Sequence, residues 1–335
     1  MLSRRPEGRV RPDIFTLQPQ PAADQPLARG EVDVALSTFL CAPTMRNWMD
    51  PPGNNLYPSV PLGEAMLAPA GGRIVASADP DRPVGAYVTC FGRWKTRLRL
   101  AGSETVLVPP PLSLVDAMGR FGINPLTAWF GIQRIGGLRA GETLLVSGAA
   151  GSVGSIAVQL GRLIGARVVG IAGGPDKCRW LKDVAGVDAA IDYRSDRLPE
   201  AVAQACPDGV DVFFDNVGGD TLDAAVDAMN RFGRIVLSGQ IAGYDGAGMR
   251  GPANMMRLVY GSITLRGFLV GDFAADWETA RADLKRHYDS GAVVYRDDLR
   301  RGFEQLPQHF CDLFEGRNNG TLLVTTEPGS MEARA

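Results

Sequence analysis

The stretch that most constrains this chain runs from residue 143 to residue 172 and reads TLLVSGAAGSVGSIAVQLGRLIGARVVGIA. A short apolar run at 143–147 passes directly into GAAGSVG at 148–154, and apolar residues at helical spacing follow to residue 164. A second β-branched run, RVVGIA, occupies 167–172. Strand, glycine turn, helix and strand in that order make a βαβ unit whose turn can take a pyrophosphate. The spacing is GxxGxxG rather than GxGxxG, but the physics is shared. Gly148 and the small residues after it permit the tight turn, Gly151 lets the backbone approach a phosphate, and Gly154 lets the helix lie close to the sheet. The helix start adds N–H groups without intrahelical partners and the positive end of the helix dipole. Gly151, Ser152, Val153 and Gly154 are therefore candidate dinucleotide contacts.

The alternation continues beyond this unit. Strands are expected at 189–191, 210–215, 234–238 and 263–269, with helices at 175–184, 221–229 and 274–290. Six strands alternating with helices imply an α/β fold, a doubly wound parallel Rossmann sheet covered on both faces. Upstream, residues 1 to about 120 read as short β pieces split by Pro and Gly, at 32–39, 72–78, 86–90 and 106–108, with a further candidate at 63–67. A helix at 303–314 and a strand at 320–325 return to that style. The expected organisation is a β-rich substrate domain of residues 1–120 plus 291–335, with a nucleotide-binding domain of residues 121–290 inserted in it.

Composition removes several function classes. A formal net charge of −2 offers no field to draw in nucleic acid or an anionic membrane. No apolar run reaches the length of a membrane helix, and the charged start MLSRRPEGRVRPD has no apolar stretch behind it, so the chain reads as cytoplasmic. The 5 cysteines are dispersed and odd in number, which suits reduced thiols rather than a disulfide framework or a metal knuckle. The 2 histidines, His287 and His309, are both late and neither stands at ligand spacing from a cysteine, so no metal is expected. No GxSxG elbow is present.

The second strand ends Ala172-Gly173-Gly174, where an NAD site usually places Asp or Glu for the ribose 2′-hydroxyl. Lys177 follows and Arg179 is a second nearby cation, which favours NADP(H); Lys177 as a solvated helix residue is the equal alternative on spacing alone. Asn216 falls at the end of the fourth strand, where ligands collect in open α/β sheets. Without a metal or a well-placed histidine, the reaction should need little acid–base help. Hydride addition to an activated C=C bond fits, because the conjugated carbonyl takes up the charge as an enolate that one or two hydroxyl donors can stabilise.

The run from GAAGSVG through GPDKCRWL, then DAAIDY and GVDVFFDNVGGDTLDAAV, resembles the medium-chain dehydrogenase/reductase superfamily. Within it the chain is most similar to the zinc-independent prostaglandin reductase and alkenal double-bond reductase family. The likeness extends to PTMR at 43–46, VPLGEAM at 60–66, GINPLTAWFG at 122–131, RGFLV at 266–270 and GRNNG at 316–320. It implies a β-rich, GroES-like substrate domain, NADPH as cofactor, an α,β-unsaturated aldehyde or ketone as substrate, and a homodimer. It also implies that Lys177 and Tyr193 meet the adenosine phosphate end, that Ser238, Gly239, Gln240, Phe268, Leu269 and Val270 line the nicotinamide, and that Asn318 touches the cofactor from the tail. Tyr244 matches the family tyrosine that points at the substrate carbonyl, and Tyr57 a pocket tyrosine of the first domain. Each is weighed against an aromatic wall residue.

Some positions depart from the family pattern: Thr321 where a lysine is frequent, WKTR at 94–97, Trp129 for a common tyrosine, Asn124-Pro125, and an unusual loop between residues 47 and 60. These leave the substrate open. A quinone reductase on the same scaffold, a reductase for a specialised aromatic or terpenoid enone, and an NADPH-binding protein without turnover are the alternatives.

Overall fold

A computed structural model describes residues 1–20, 25–53, 56–244 and 250–326. In chain order the strands and helices are β1 (Glu31–Leu40), β2 (Leu67–Ser77), β3 (Tyr87–Arg93), β4 (Arg97–Ala101), β5 (Thr105–Leu107), α1 (Leu114–Met118) and α2 (Ile123–Phe130). Then come β6 (Thr143–Val146), α3 (Gly154–Ile164), β7 (Arg167–Ala172), α4 (Pro175–Asp183), β8 (Ala189–Asp192), α5 (Leu198–Ala205), β9 (Val210–Asp215) and α6 (Gly219–Ala228). The last are β10 (Met229–Leu237), α7 (Met256–Gly261), β11 (Thr264–Gly267), α8 (Trp277–Asp289), β12 (Asp297–Arg301), α9 (Leu306–Phe314) and β13 (Thr321–Thr325). Two compact units result, one of Met1–Gly122 with the tail from Asp297, the other of Ile123–Arg296.

The first unit holds a seven-stranded mixed sheet in the order β12-β13-β1-β2-β3-β5, with β4 paired to β1. The returning β13 runs antiparallel to β1, with Phe39 opposite Val324. Its core gathers Phe39, Met45, Met49, Ile74, Phe310 and Leu322, all essentially without exposure. Of the segment 63–67 only Leu67 lies in a strand, as the first residue of β2. Gly63 takes φ +83 in a turn that only delivers the chain to β2 at Leu67. Trp94 belongs to this core, its ring 5.3 Å from Phe15 and 5.9 Å from Phe310.

The second unit holds a six-stranded sheet in the order β11-β10-β9-β6-β7-β8, every neighbouring pair parallel. Read from β8 this is 3-2-1-4-5-6, the doubly wound dinucleotide order. The chain reverses its winding between β6 and β9, so the crevice for a ligand opens at their carboxyl ends, after Val146 and Asp215. Both strands are buried on both faces, which is why they read as unbroken apolar runs. Phe214 and Phe130 fill one side and Phe213 with Leu145 the other. Gly161 on α3 is what lets that helix settle on the sheet, since a Cβ there would lie 2.4 Å from Leu144. Trp129 is also core, with its indole N–H donating to Asp283 on α8 at 2.7 Å. Among the described residues no helix is long and apolar enough to cross a membrane.

Candidate cofactor and active site

The turn after β6 is built for close approach. Gly148 adopts φ +57, and the N–H of Gly151 donates to its carbonyl at 2.9 Å. A Cβ on Gly154 would lie 2.3 Å from the Gly148 oxygen and 2.8 Å from Ala149 Cα. Gly154 thus folds the turn onto itself, while the close fit of helix to sheet falls to Gly161. Ser152 and Val153 lie half-buried at the mouth of the turn. Asn124, a departure from the family pattern, donates to the Ser152 hydroxyl at 2.5 Å and ties α2 to this loop.

The adjoining strand end is fastened to the turn by a polar knot. The Ser147 hydroxyl donates to Asp215 Oδ1 at 2.7 Å and accepts from the Asn216 N–H at 2.8 Å. The Asn216 amide donates back to the Ser147 carbonyl at 2.7 Å. Asp215 Oδ1 also accepts from the N–H groups of Val217 and Gly218, at 2.9 and 3.0 Å. Burial pushes the Asp215 carboxyl upward, and the bonds from Gly218, Val217 and Ser147 oppose that shift. The knot fixes Asn216 at the switch point. Ser147 and Asp215 were missed in the sequence because each reads as an ordinary strand-end polar residue.

Ser238, Gly239 and Gln240 follow β10 on the same carboxyl side. The N–H groups of Ser238 and Gly239 donate to the Asp215 carbonyl at 2.8 and 3.1 Å, and Gln240 packs against Gly218. Tyr244 closes this segment and is buried, with its hydroxyl 3.9 Å from where a Cβ on Gly239 would stand. After β11, the Phe268 ring turns inward and would lie 3.2 Å from a Cβ on Gly131. The Val270 carbonyl accepts from the Trp277 indole at 3.0 Å, and the Leu269 side chain is exposed. Phe268 itself is half-buried.

The end of β7 carries the charge. The Tyr193 ring lies over Gly173, within 2.8 Å of a Cβ built there, so a larger residue at 173 would displace it. Lys177 is half-buried in the first turns of α4. Burial lowers its proton affinity, and the neighbouring Arg194 and Arg296 lower it further. Arg179 points elsewhere and pairs with the exposed Asp176 at 3.0 Å. Arg194 was not foreseen, because it follows β8 and reaches Lys177 only through the fold. The tight glycine turn, beside cations at the end of β7 whose own residues Ala172, Gly173 and Gly174 carry no carboxylate, fits the diphosphate and 2′-phosphate of NADP(H).

In the first unit, Tyr57 is half-buried against the core. The Asn318 amide donates to the Gly320 carbonyl at 2.9 Å just before β13. Arg300 forks onto Asp298 at 2.8 and 3.0 Å and donates to Asp312 at 2.5 Å, and Asp298 accepts the Asn319 N–H at 3.2 Å. That network holds the tail loop to β12. Burial drives the thiols of Cys41 and Cys311 up to about 12 and those of Cys90 and Cys206 to about 11, which leaves none of these four a nucleophile at neutral pH. Among the described residues no group of three or more His, Cys, Asp or Glu could hold a metal ion.

Residues 1–108 match the family model described as N-terminal domain of oxidoreductase, and residues 152–286 the one described as Zinc-binding dehydrogenase. The chain is 32% identical to the NADPH-dependent curcumin reductase of Escherichia coli over 97% of its own length and 95% of that protein's. The chain belongs to the medium-chain dehydrogenase/reductase family. It lies in the branch that contains this curcumin reductase and the prostaglandin reductases. Prostaglandin reductase 1 of Bos taurus is 36% identical over 82% of this chain and 86% of its own. The crystal structure of CurA from Vibrio vulnificus in complex with NADPH superposes with a TM-score of 0.90, at 31% identity over 98% of both chains.

Proposed function

We propose that this chain uses NADPH to reduce the C=C bond of an α,β-unsaturated aldehyde or ketone. The observation that carries the reading is the buried Tyr244, set beside Gly239 at the carboxyl side of the same sheet whose glycine turn makes the phosphate cradle. The named activities of the family relatives point the same way.

In this reading Gly151, Ser152, Val153 and Gly154 hold the diphosphate, and Lys177 with Tyr193 the 2′-phosphate end. Asn216, Ser238, Gly239, Gln240 and the segment Phe268, Leu269, Val270 border the nicotinamide. When bound, NADPH supplies a hydride to the β-carbon of the substrate. Tyr244 donates its hydroxyl hydrogen bond to the carbonyl oxygen as negative charge gathers there. The hydroxyl stabilises the enolate by hydrogen bonding. The α-carbon then takes its proton from solvent, and the product is the saturated carbonyl compound.

The test is loss of NADPH absorbance with a panel of enals, enones, aryl-conjugated ketones and quinones, with NADH in parallel and products identified. Turnover of an enone to the saturated ketone supports the reading. Turnover of quinones alone, or cofactor binding with no turnover on any acceptor, contradicts it.

A further inference from the structure

The cation that the sequence did not foresee is fixed in place by the backbone around it. Asp192, the last residue of β8, accepts through one oxygen from the N–H of Gly174 at 2.8 Å and from the N–H of Arg194 at 3.0 Å. One carboxylate thus clamps the start of α4 and the turn after β8 together. Arg194 begins within that clamp, and its guanidinium Nη1 lies 3.8 Å from where a side chain on Gly174 would start. The same guanidinium sits 6.0 Å from the Tyr193 ring centroid, while that ring covers Gly173. Gly174 is the residue before α4, and Lys177 stands in the first turns of that helix. Arg194 is exposed, so a ligand can reach it.

Like charges gather in this way where an anion is to be bound. We propose that Arg194 is a second specificity residue for the cofactor, acting with Lys177 to select a 2′-phosphorylated adenosine over one with a free 2′-hydroxyl. The inference rests on the proposed use of NADPH and adds to it a residue and a division of labour. Lys177 supplies a half-buried point charge from α4. Arg194 supplies a planar fork from the β8 side, a geometry suited to two phosphate oxygens. Gly174 puts no side chain beside the guanidinium, and Asp192 is the positioning residue that holds the two sides in register.

The experiment measures binding rather than turnover. The full-length chain, R194A, R194K and K177A are titrated calorimetrically with adenosine 2′,5′-bisphosphate and with AMP, which differ only by the 2′-phosphate. The wild-type chain is expected to bind the bisphosphate more tightly than AMP. R194A should lose about tenfold of that advantage, the scale of one charge-assisted contact at an exposed site, with AMP binding unchanged. R194K should keep part of it, because the charge survives without the fork. An R194A chain that binds the bisphosphate like the wild type, while K177A does not, overturns the role of Arg194 and leaves the NADPH reading standing. A wild-type chain that does not distinguish the two ligands overturns both. Unchanged thermal unfolding of R194A is the expected control for an exposed side chain.

Discussion

The Ser147 hydroxyl donates to the Asp215 carboxylate at 2.7 Å, inside the protein and across the two strand ends where the sheet reverses its winding. Around this bond the Asn216 amide and the N–H groups of Val217 and Gly218 take fixed partners. Removing Asp215 would strand three donors. D215A should lose about 3 kcal/mol of stability, and D215N less, because the amide oxygen can still accept from them. Urea unfolding read alongside NADPH affinity checks this. Both quantities should fall in D215A, and a D215A chain as stable as the wild type would show that the knot does not hold the switch point.

The glycine turn gives a second prediction. G154A forces a methyl to within 2.3 Å of a backbone oxygen that cannot swing aside. Such overpacking costs about 3 kcal/mol, and the turn should open enough to abolish measurable NADPH binding. G151A is milder, since its Cβ would approach the Gly148 oxygen only to 3.1 Å. Differential scanning calorimetry and cofactor fluorescence should rank the two variants in that order.

Asp33 supplies a pH dependence. It is buried on β1 and accepts from Arg99 at 3.1 and 3.2 Å and from Arg97 at 2.8 Å. The Arg99 bond, with Arg97 assisting, holds its carboxyl below the usual carboxylate value despite the opposing effect of burial. A folded-state pKa below the unfolded one adds stability above about pH 4, and that stability is lost as the pH falls through the folded value. D33N should therefore lower Tm by about 5 °C at pH 7. The difference from the wild type should shrink steadily below about pH 4. A deficit that stays constant with pH would mean that the pairs add nothing.

Tyr244 carries the proposed chemistry. Y244F removes one hydroxyl from a buried ring and should leave the fold and the affinity for NADPH alone. The enone turnover number should fall by about 10² if that hydroxyl stabilises the developing enolate. Y57F should cost less. An unchanged turnover number in Y244F would reduce the tyrosine to an aromatic wall.

Local pattern made much of the second unit legible in advance. The runs at 143–146, 167–172 and 210–215 are apolar because both sheet faces are covered, and the glycine turn between the first two announces a phosphate site. The helix Leu198–Ala205 was overlooked although Pro199 marks a helix start, since its apolar stripe is short and alanine-rich. The segment 63–67 reads as apolar and strand-like, but Gly63 and Glu64 form a turn whose N–H of Gly63 bonds the Leu2 carbonyl, a partner 61 residues away in the chain. Arg194 was invisible for a similar reason. Its place beside Lys177 is set by Asp192 bonding two loops, a pairing that no spacing announces. Trp94 and Trp129, two of the departures from the family pattern, are both core residues.

Hydride delivery to the β-carbon is what separates reduction of a carbon–carbon from that of a carbon–oxygen double bond. The direct measurement is NMR analysis of the product formed from an enone and NADPH deuterated at the transferring position of the nicotinamide, with both faces of C4 tested. The expected product is a saturated ketone with deuterium on the β-carbon. Deuterium on the carbonyl carbon of an allylic alcohol, or its absence from any product, would contradict that delivery.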